Sequence, residues 1–550
     1  MDYQALAELL FPDVTETPEQ LEARFPQRDL PEGAVVSRMA PSPTGFVHLG
    51  NLVQGTISER MTHQSGGVLY LRVEDTDAKR EIPGAVEVLI NTLKFYNINF
   101  DEGATVDGDD GVYGPYRQRQ RAAIYHVYAK KLVSEGKAYP CFCTEDELSA
   151  LREKQEANKE TTGYYGKYAV WRDRPMEDIQ AQLAAGNPWV LRFRSEGSID
   201  RQFKFDDLVK GKLTITENNV DHVLLKSDGI PTYHFAHAVD DTLMGTTHVV
   251  RSDEWVSSVP THLQLFYVLG LKPPKYAHVS PVMKEDNGAK RKLSKRKDPE
   301  AAVSYFVDEG YPKEAVLEYL LNLANSPFED WRRQNKTAPY QDYKLQLNKM
   351  SQSGALFDLV KLADVSAGVI GAFDAEKVTK DVLEWAKGHD EELYALLNRD
   401  KDYAQGIFAI DRGGKKPRKD IRKWSDVRDY VSYFYDELWQ GEYDLPENLQ
   451  KEDMIAILDT YAKAYEEAPD KNTWFDGVKA ICEGLGFCPE VKAYKQDPTG
   501  WKGHVGDVST VIRVAITGRK NSPDLCAIMQ LLGKERSLSR LWKMKEFLEK

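Results

Sequence analysis

The chain has 550 residues, 41% of them hydrophobic, and a formal charge of −13. That length calls for several domains and supplies ample material for their cores. It contains no apolar run of ~18 residues, and the N-terminus MDYQALAELLFPDV carries acidic residues and no long apolar segment, so no secretory leader is expected. Cys141, Cys143, Cys482, Cys488 and Cys526 form no secretory framework, so a reducing, cytoplasmic setting is expected. An acidic body that contacts nucleic acid must do so along local basic tracks.

In chain order, residues 1–34 form an N-terminal extension in which TPEQLEARFP predicts a capped helix. Arg38 to Asn51 then reads RMAPSPTGFVHLGN, with a helix expected over 51–60. Residues 68–73 (VLYLRV) have strand character, Glu74-Asp75-Thr76-Asp77 follows, and 85–93 is helical. Residues 116–222 carry elements of their own, including Cys141-Phe142-Cys143 and a charged helix over 145–159, and are expected to form a separate lobe. Strand patterns at 222–225 and 247–250 and a helix over 261–269 complete an α/β front. Its alternation predicts a parallel sheet with ligand at the carboxyl ends of its strands. KLSKR occupies Lys292 to Arg296. Beyond Tyr311 the pattern is helical, over 313–324, 378–387, 427–439 and 453–467. Two basic tracks stand out, Lys290 to Lys297 and Lys415 to Lys423, and no internal repeat is found.

PSPTG alone reads as a turn, and KLSKR alone as a solvated charged face. Together they describe an ATP site interrupted by insertion. Activating a carboxylate with ATP puts negative charge on the α-phosphorus and on pyrophosphate, so the protein must position groups and neutralise charge. His48 can donate to phosphate oxygens, Gly50 lets the nucleotide approach the backbone, and the helix beginning at Asn51 offers its N–H groups to an anion. Lys292 and Lys295 bring positive charge from the second loop. A substrate with two carboxylates and an ammonium needs two cations and an anion, which Arg38, Arg251 and Glu74 provide.

APSPTGFVHLGN and KLSKR resemble the HIGH and KMSKS signatures of class I aminoacyl-tRNA synthetases, in the spelling of glutamyl-tRNA synthetases. LRVEDTD, SDGIPTYHFAHAVDD (227–241), THVVRSDEWVSSVPTHLQLFYVLG (247–270), SGALFDLVKL (353–362) and VAITGRKNSPDLCAIMQLLGKERSLSRL (514–541) resemble that family's blocks in order. The resemblance implies a Rossmann-like class I catalytic domain in two halves, 35–115 and 223–285. They are separated by an acceptor-end-binding α+β lobe over 116–222. A KLSKR loop and stem-contact helical domain over 286–370 and an all-α anticodon-binding region over 371–550 would follow. The implied activity is ATP-dependent formation of glutamyl-adenylate and transfer of glutamate to tRNA(Glu), in a cytoplasmic monomer with no DNA or membrane partner.

By the same resemblance Thr44, His48, Lys292 and Lys295 are catalytic, and Pro43, Thr44, His48, Gly50, Asn51 and Lys295 bind ATP. Arg38, Ala40, Ser42, Glu74, Tyr233 and Arg251 bind glutamate, with His237 a further candidate in that pocket, and Asp75 and Asp77 bind tRNA; Arg418 and Arg422 of the second basic track are candidates to bind tRNA as well. His237 departs from the family, which often has Asn there; a titrating imidazole would add a pH dependence to substrate binding. The Glu-Asp-Thr-Asp carboxylates also fit Mg²⁺ binding or helix capping, but Mg²⁺ is expected to arrive with ATP and no dedicated protein site is assigned. Cys141 and Cys143 begin a zinc pattern that 164–172 (YYGKYAVWR) does not complete, so no structural zinc is predicted. Arg519 and Trp542 are further candidates for reading the anticodon. Alternatives are an enzyme that also charges tRNA(Gln) with glutamate, a glutaminyl-tRNA synthetase, a small nucleotidyltransferase and a non-catalytic tRNA-binding paralogue. The PSPTG spelling and helical rear argue against the second, the rear domain against the third, and the complete charge set against the last.

Overall fold

The computed structural model describes residues 1–43, 45, 47–77, 82–294, 296–414 and 417–550. Thr44 and Lys295, both assigned to catalysis above, lie outside the described residues. The chain divides into two compact units, Met1–Tyr305 with Leu317–Asp358, and Phe306–Val316 with Leu359–Lys550.

The first unit opens with α1 (Tyr3–Leu10) and α2 (Pro18–Glu22). Asp2 caps α1 by accepting from the Ala5 N–H at 3.0 Å, and Thr17 and Gln20 close a capping box on α2, so both ends are locally encoded. Next come β1 (Val36–Met39), α3 (Leu49–His63), β2 (Val68–Leu71), α4 (Ala85–Phe95), β3 (Glu102–Ala104) and the short β4 (Asp109–Asp110). β1, β2 and β3 are parallel neighbours and β4 is antiparallel to β3. Gly103, at φ +129°, lets β3 approach β2 so closely that a Cβ there would lie 2.4 Å from the Leu71 carbonyl oxygen.

The insertion contributes α5 (Ala122–Ser134), β5 (Ala138–Cys141), α6 (Glu145–Ala157), α7 (Met176–Ala184), β6 (Val190–Phe193), β7 (Gln202–Asp207), β8 (Gly211–Thr216) and β9 (Val223–Leu225). β5, β6 and β9 form an antiparallel sheet, and β7 and β8 a hairpin. The strand at 222–225 therefore belongs to the insertion's sheet, whereas its apolar run placed it in the parallel front. Nor does the insertion have a wholly separate core. α5 buries Ile124, Tyr125, Val127, Tyr128, Ala129, Leu132 and Val133, too much of its circumference for one neighbour. One apolar cluster accordingly joins it to Leu6, Ala7 and Leu10 of α1 and to the helices that follow the insertion.

Those helices are α8 (Tyr233–Leu243) and α9 (Val259–Leu269), which alternate with parallel strands β10 (His248–Ser252) and β11 (Lys275–Val279). β10 lies beside β1: the Thr247 N–H donates to Val36 O and the Val36 N–H to Thr247 Oγ1, both at 2.9 Å. Strands β12 (Met283–Asp286) and β13 (Ala289–Lys292) form the hairpin that leads into KLSKR.

The second unit is helical among its described residues, with one core running from Ile370 to Leu548. The helix expected over 427–439 stops at Tyr430. Tyr433, Phe434 and Tyr435, beyond the helix end, are all buried. Tertiary partners take over the carbonyls: Arg540 donates to Tyr433 O and Ile516 O, and Arg536 and Tyr403 each donate to Phe434 O at 3.1 Å.

Candidate functional site

A cavity of about 430 Å³ opens where β1, β10 and β11 end and α3 begins. It is lined by most of the residues singled out from sequence: Arg38, Ala40, Ser42, His48, Gly50, Asn51, Glu74, Tyr233, Arg251 and Lys292. Pro43 instead lines a neighbouring hollow of about 130 Å³ that shares Pro41, Ser42 and Asn51 with the cavity.

His48 is the N-cap of α3. Its Nδ1 accepts from the Gly50 N–H at 3.1 Å, and its own N–H donates to Asn51 Oδ1 at 3.2 Å. An Nδ1 that accepts leaves the neutral ring's proton on Nε2, the donor form that a phosphate oxygen requires. The helix begins at Leu49 rather than Asn51, and the Gly50 and Asn51 N–H groups are engaged by His48, so they are not offered to an anion as expected. The same local arrangement recurs at His504-Val505-Gly506-Asp507, where Gly506 N–H donates to His504 Nδ1 at 3.0 Å and His504 N–H to Asp507 Oδ2 at 2.8 Å.

Beneath the cavity lies a buried charge network. Asp241 of α8 receives Arg38 Nε at 3.2 Å, Arg72 Nη1 at 2.7 Å and Tyr70 OH at 3.2 Å, and lies 2.5 Å from His237 Nδ1. Asp240 receives Arg121 Nε at 2.7 Å and Tyr125 OH at 2.8 Å. Glu74 is 3.3 Å from Arg72 Nη2 and 11% exposed at the cavity wall. Burial pushes its carboxyl up to about 7 against the pull of Arg72 and Arg38. The three carboxylates Asp240, Asp241 and Glu74 thus face three guanidinium groups, those of Arg38, Arg72 and Arg121.

Arg251 has no such counter-ion among the described residues. Its Nε donates to His278 Nε2 at 2.9 Å, and its Nη1 contacts Tyr233 OH at 3.2 Å and His262 Nδ1 at 3.1 Å. Nη2 makes a long 3.5 Å contact to Trp255 O, and the guanidinium lies over the Tyr276 ring. A buried cation supported only by neutral acceptors is poised to receive a ligand anion.

His237 does not line the cavity. It is fully buried behind Tyr233, with their rings stacked at 5.8 Å, and its Nε2 bonds Tyr276 OH at 2.8 Å. Burial pulls it down to about 4 despite Asp241, so the imidazole stays neutral near pH 6 to 7. A neutral imidazole does not supply the pH dependence expected of His237 in that range.

Lys292 lines the cavity from β13 and is ion-paired there with Glu254. Within its basic track, Arg291 is committed to Asp286 and Asp298, at 2.8 and 2.6 Å, and braces the loop. Asp75 is buried and caps: its Oδ1 accepts the Arg119 N–H at 2.9 Å and its carbonyl accepts Arg119 Nε at 2.8 Å. Asp77 is exposed. Arg418 and Arg422 lie in the second unit, the former paired with Asp420 and the latter with Asp426. Lys415 and Lys416 of their track lie outside the described residues.

Around the Cys141–Cys143 pair, Tyr139, Tyr164, Ala169 and Trp171 form a small apolar cluster, with Tyr164 OH 3.6 Å from Cys143 Sγ. Two thiols set among aromatic rings do not furnish the four ligands of a structural zinc. Among the described residues no group of three or more His, Cys, Asp or Glu is arranged to hold a metal.

Sequence reasoning passed over Arg72, Trp255, His262 and His278. Trp255 packs on Tyr233 with ring centroids 4.2 Å apart, and His262 touches Arg251. Arg72 carried one usable signal: it is two residues from Glu74, the same-face spacing of extended chain.

Residues 34–364 match the family profile described as tRNA synthetases class I (E and Q), catalytic domain, and residues 498–545 match an anticodon binding domain. A glutamate–tRNA ligase of Clostridium perfringens (strain 13 / Type A) is 49% identical over 546 residues, covering 98% of this chain and 100% of that protein. One of Sorangium cellulosum (strain So ce56) is 46% identical over 565 aligned residues, covering 97% and 99%. A crystal structure of a glutamate tRNA ligase from Elizabethkingia meningosepticum in complex with its amino acid superposes with a TM-score of 0.74 at 25% identity, covering 94% of this chain and 99% of that one.

Proposed function

Because the chain belongs to the glutamate–tRNA ligase family of class I tRNA synthetases, we propose that the cavity is where L-glutamate and ATP meet. The enzyme joins glutamate to tRNA at the expense of ATP. The observation that carries the assignment of the cavity is that it is lined both by Arg251, which has no counter-ion among the described residues, and by Glu74.

In this reading Arg251 receives one substrate carboxylate. Arg38 and Tyr233 receive the other, and Glu74 takes the ammonium, with Ala40 and Ser42 completing the pocket. His48, through Nε2, stabilises charge on the phosphates together with Thr44, Lys292 and Lys295, while Pro43, Gly50 and Asn51 shape the nucleotide site. Mg²⁺ enters with ATP and neutralises phosphate charge. The glutamate carboxylate is already ionised and attacks the α-phosphorus without a general base, expelling pyrophosphate; a ribose hydroxyl of the terminal adenosine then attacks the carbonyl carbon of the mixed anhydride, releasing AMP, whose phosphate takes the hydroxyl proton. Asp77 and the second unit, with Arg418 and Arg422, contact tRNA(Glu), and the enzyme acts as a cytoplasmic monomer. No helix among the described residues is long and apolar enough to cross a membrane.

Charging purified tRNA(Glu) and, separately, tRNA(Gln) with labelled glutamate, with glutamine as control amino acid, tests this. Glutamate on tRNA(Glu) alone is the expected result. Charging of both makes the enzyme non-discriminating, and charging of neither while ATP still binds overturns the reading.

Glu74 adds a pH signature. Burial pushes its carboxyl up to about 7, and it must lose its proton to hold an ammonium. The KM for glutamate is therefore expected to rise about tenfold per pH unit as pH falls from 7 towards 5, and Glu74→Gln abolishes the slope. The stability term has its own sign. The folded carboxyl holds its proton more tightly than the unfolded one, so this group's contribution is largest below pH 4.5 and is lost as pH rises through 7. A flat KM profile in the wild-type enzyme rules out Glu74 as the ammonium receptor.

A further inference from the structure

We propose that Asp207 and His278 are positioning residues that aim Arg251 at the substrate carboxylate, so that the β7–β8 hairpin of the insertion helps to set glutamate affinity. The inference rests on the reading of Arg251 as a carboxylate receptor.

Asp207 ends β7 and is buried. Its Oδ1 accepts the Val209 and Lys210 N–H groups at 2.9 and 2.8 Å, which locks the carboxylate to the hairpin turn. Its Oδ2 lies 2.6 Å from His278 Nδ1, and the His278 N–H is 3.2 Å from the same oxygen. Burial alone would raise the Asp207 carboxyl, but these bonds outweigh it and hold it below the ordinary range, as an anion. An ionised carboxylate only accepts, so His278 must carry its proton on Nδ1. Burial lowers the His278 imidazole and favours its neutral form, in which Nε2 is an acceptor, and the donor it meets is Arg251 Nε at 2.9 Å.

The consequence is geometric. A guanidinium is a rigid planar fork, so fixing Nε fixes the direction of both Nη groups. Nη1 is then held by Tyr233 OH and His262 Nδ1, and Nη2 has only its 3.5 Å contact to Trp255 O. Lys210 reinforces the link: on the same hairpin it pairs with Asp253 at 2.8 Å and donates to Ser280 Oγ, and Ser280 lines the cavity. Neither Asp207 nor His278 is among the cavity-lining residues, so both act through Arg251.

The test is ATP–pyrophosphate exchange by the full chain in the presence of tRNA(Glu). His278→Leu and Asp207→Asn are compared with His278→Gln, whose amide oxygen can still accept from Arg251. The first two are expected to raise the KM for glutamate ten- to hundredfold with the KM for ATP and kcat at saturating glutamate within about threefold, and His278→Gln to recover most of the loss. A glutamate KM within twofold of wild type in both variants overturns the proposal. So does a parallel rise in both KM values, or a His278→Gln no better than His278→Leu, because each makes the dyad merely structural. If His278→Leu does not fold, the isosteric Asp207→Asn decides alone. Failure of wild-type enzyme to activate glutamate would refute the underlying reading instead.

Discussion

Replacing Arg251 with alanine is expected to lower kcat/KM for glutamate about a thousandfold, or ~4 kcal/mol, chiefly through KM. The guanidinium is buried and bonded to neutral acceptors, so the carboxylate it is proposed to bind would enter a low-dielectric pocket with no compensating charge. Arg251→Lys is expected to recover only part of this. An ammonium provides a point charge, and it cannot keep the His278 and His262 bonds while presenting a fork. Steady-state exchange assays over a range of glutamate concentrations separate the outcomes. A glutamate KM unchanged in Arg251→Ala would remove this residue, and the dyad behind it, from substrate recognition.

The largest stability effect is expected at Asp241. Its carboxylate is fully buried and is held far below the ordinary range by Arg38 and Arg72, which overcome its burial. Asp241→Ala leaves both guanidinium groups without that counter-charge and should destabilise the first unit by about 3–5 kcal/mol. Glu74→Gln, at the edge of the same network, should cost much less because Arg72 keeps Asp241. A chain of two units does not unfold in one step, so the measurement is the urea midpoint of the first transition it affects, followed by tryptophan fluorescence and circular dichroism. An Asp241→Ala midpoint equal to wild type contradicts the account. The effect also has a pH sign. A depressed carboxyl contributes its stability above pH 3.8 and loses it as pH falls through the folded-state value, opposite to Glu74.

Much of the cavity was legible because its residues cluster in short segments whose local conformation is encoded locally. Arg38 and His48 flank a β1–α3 connection that the sequence marks with the turn residues of PSPTG and with a helix placed two residues late. Arg251 directly follows the apolar run from which its strand is recognised. What stayed hidden were residues whose importance comes from a partner far along the chain: Arg72 meets Asp241, and Asp207 meets His278. Asp75 has a partner of the same kind, since Arg119 anchors it from well along the chain.

The paired histidine caps show where the boundary falls. His48-Leu49-Gly50-Asn51 and His504-Val505-Gly506-Asp507 adopt one local structure, because a ring nitrogen two residues before a glycine N–H closes the same short bond wherever the chain turns into a helix. The sequence by itself determined the capped helix after Thr17, the approximate places of several helices, the β2 and β10 strands and the identity of the family. Only the tertiary structure decided that one of the two caps stands at a cavity with Arg251 and Glu74, that His237 lies behind its wall as a neutral ring, and that the 427–439 segment leaves the helix to bury three successive aromatic residues. Local rules act through neighbours a few residues apart, whereas charge compensation, burial and the direction of a guanidinium depend on groups brought together from across the chain.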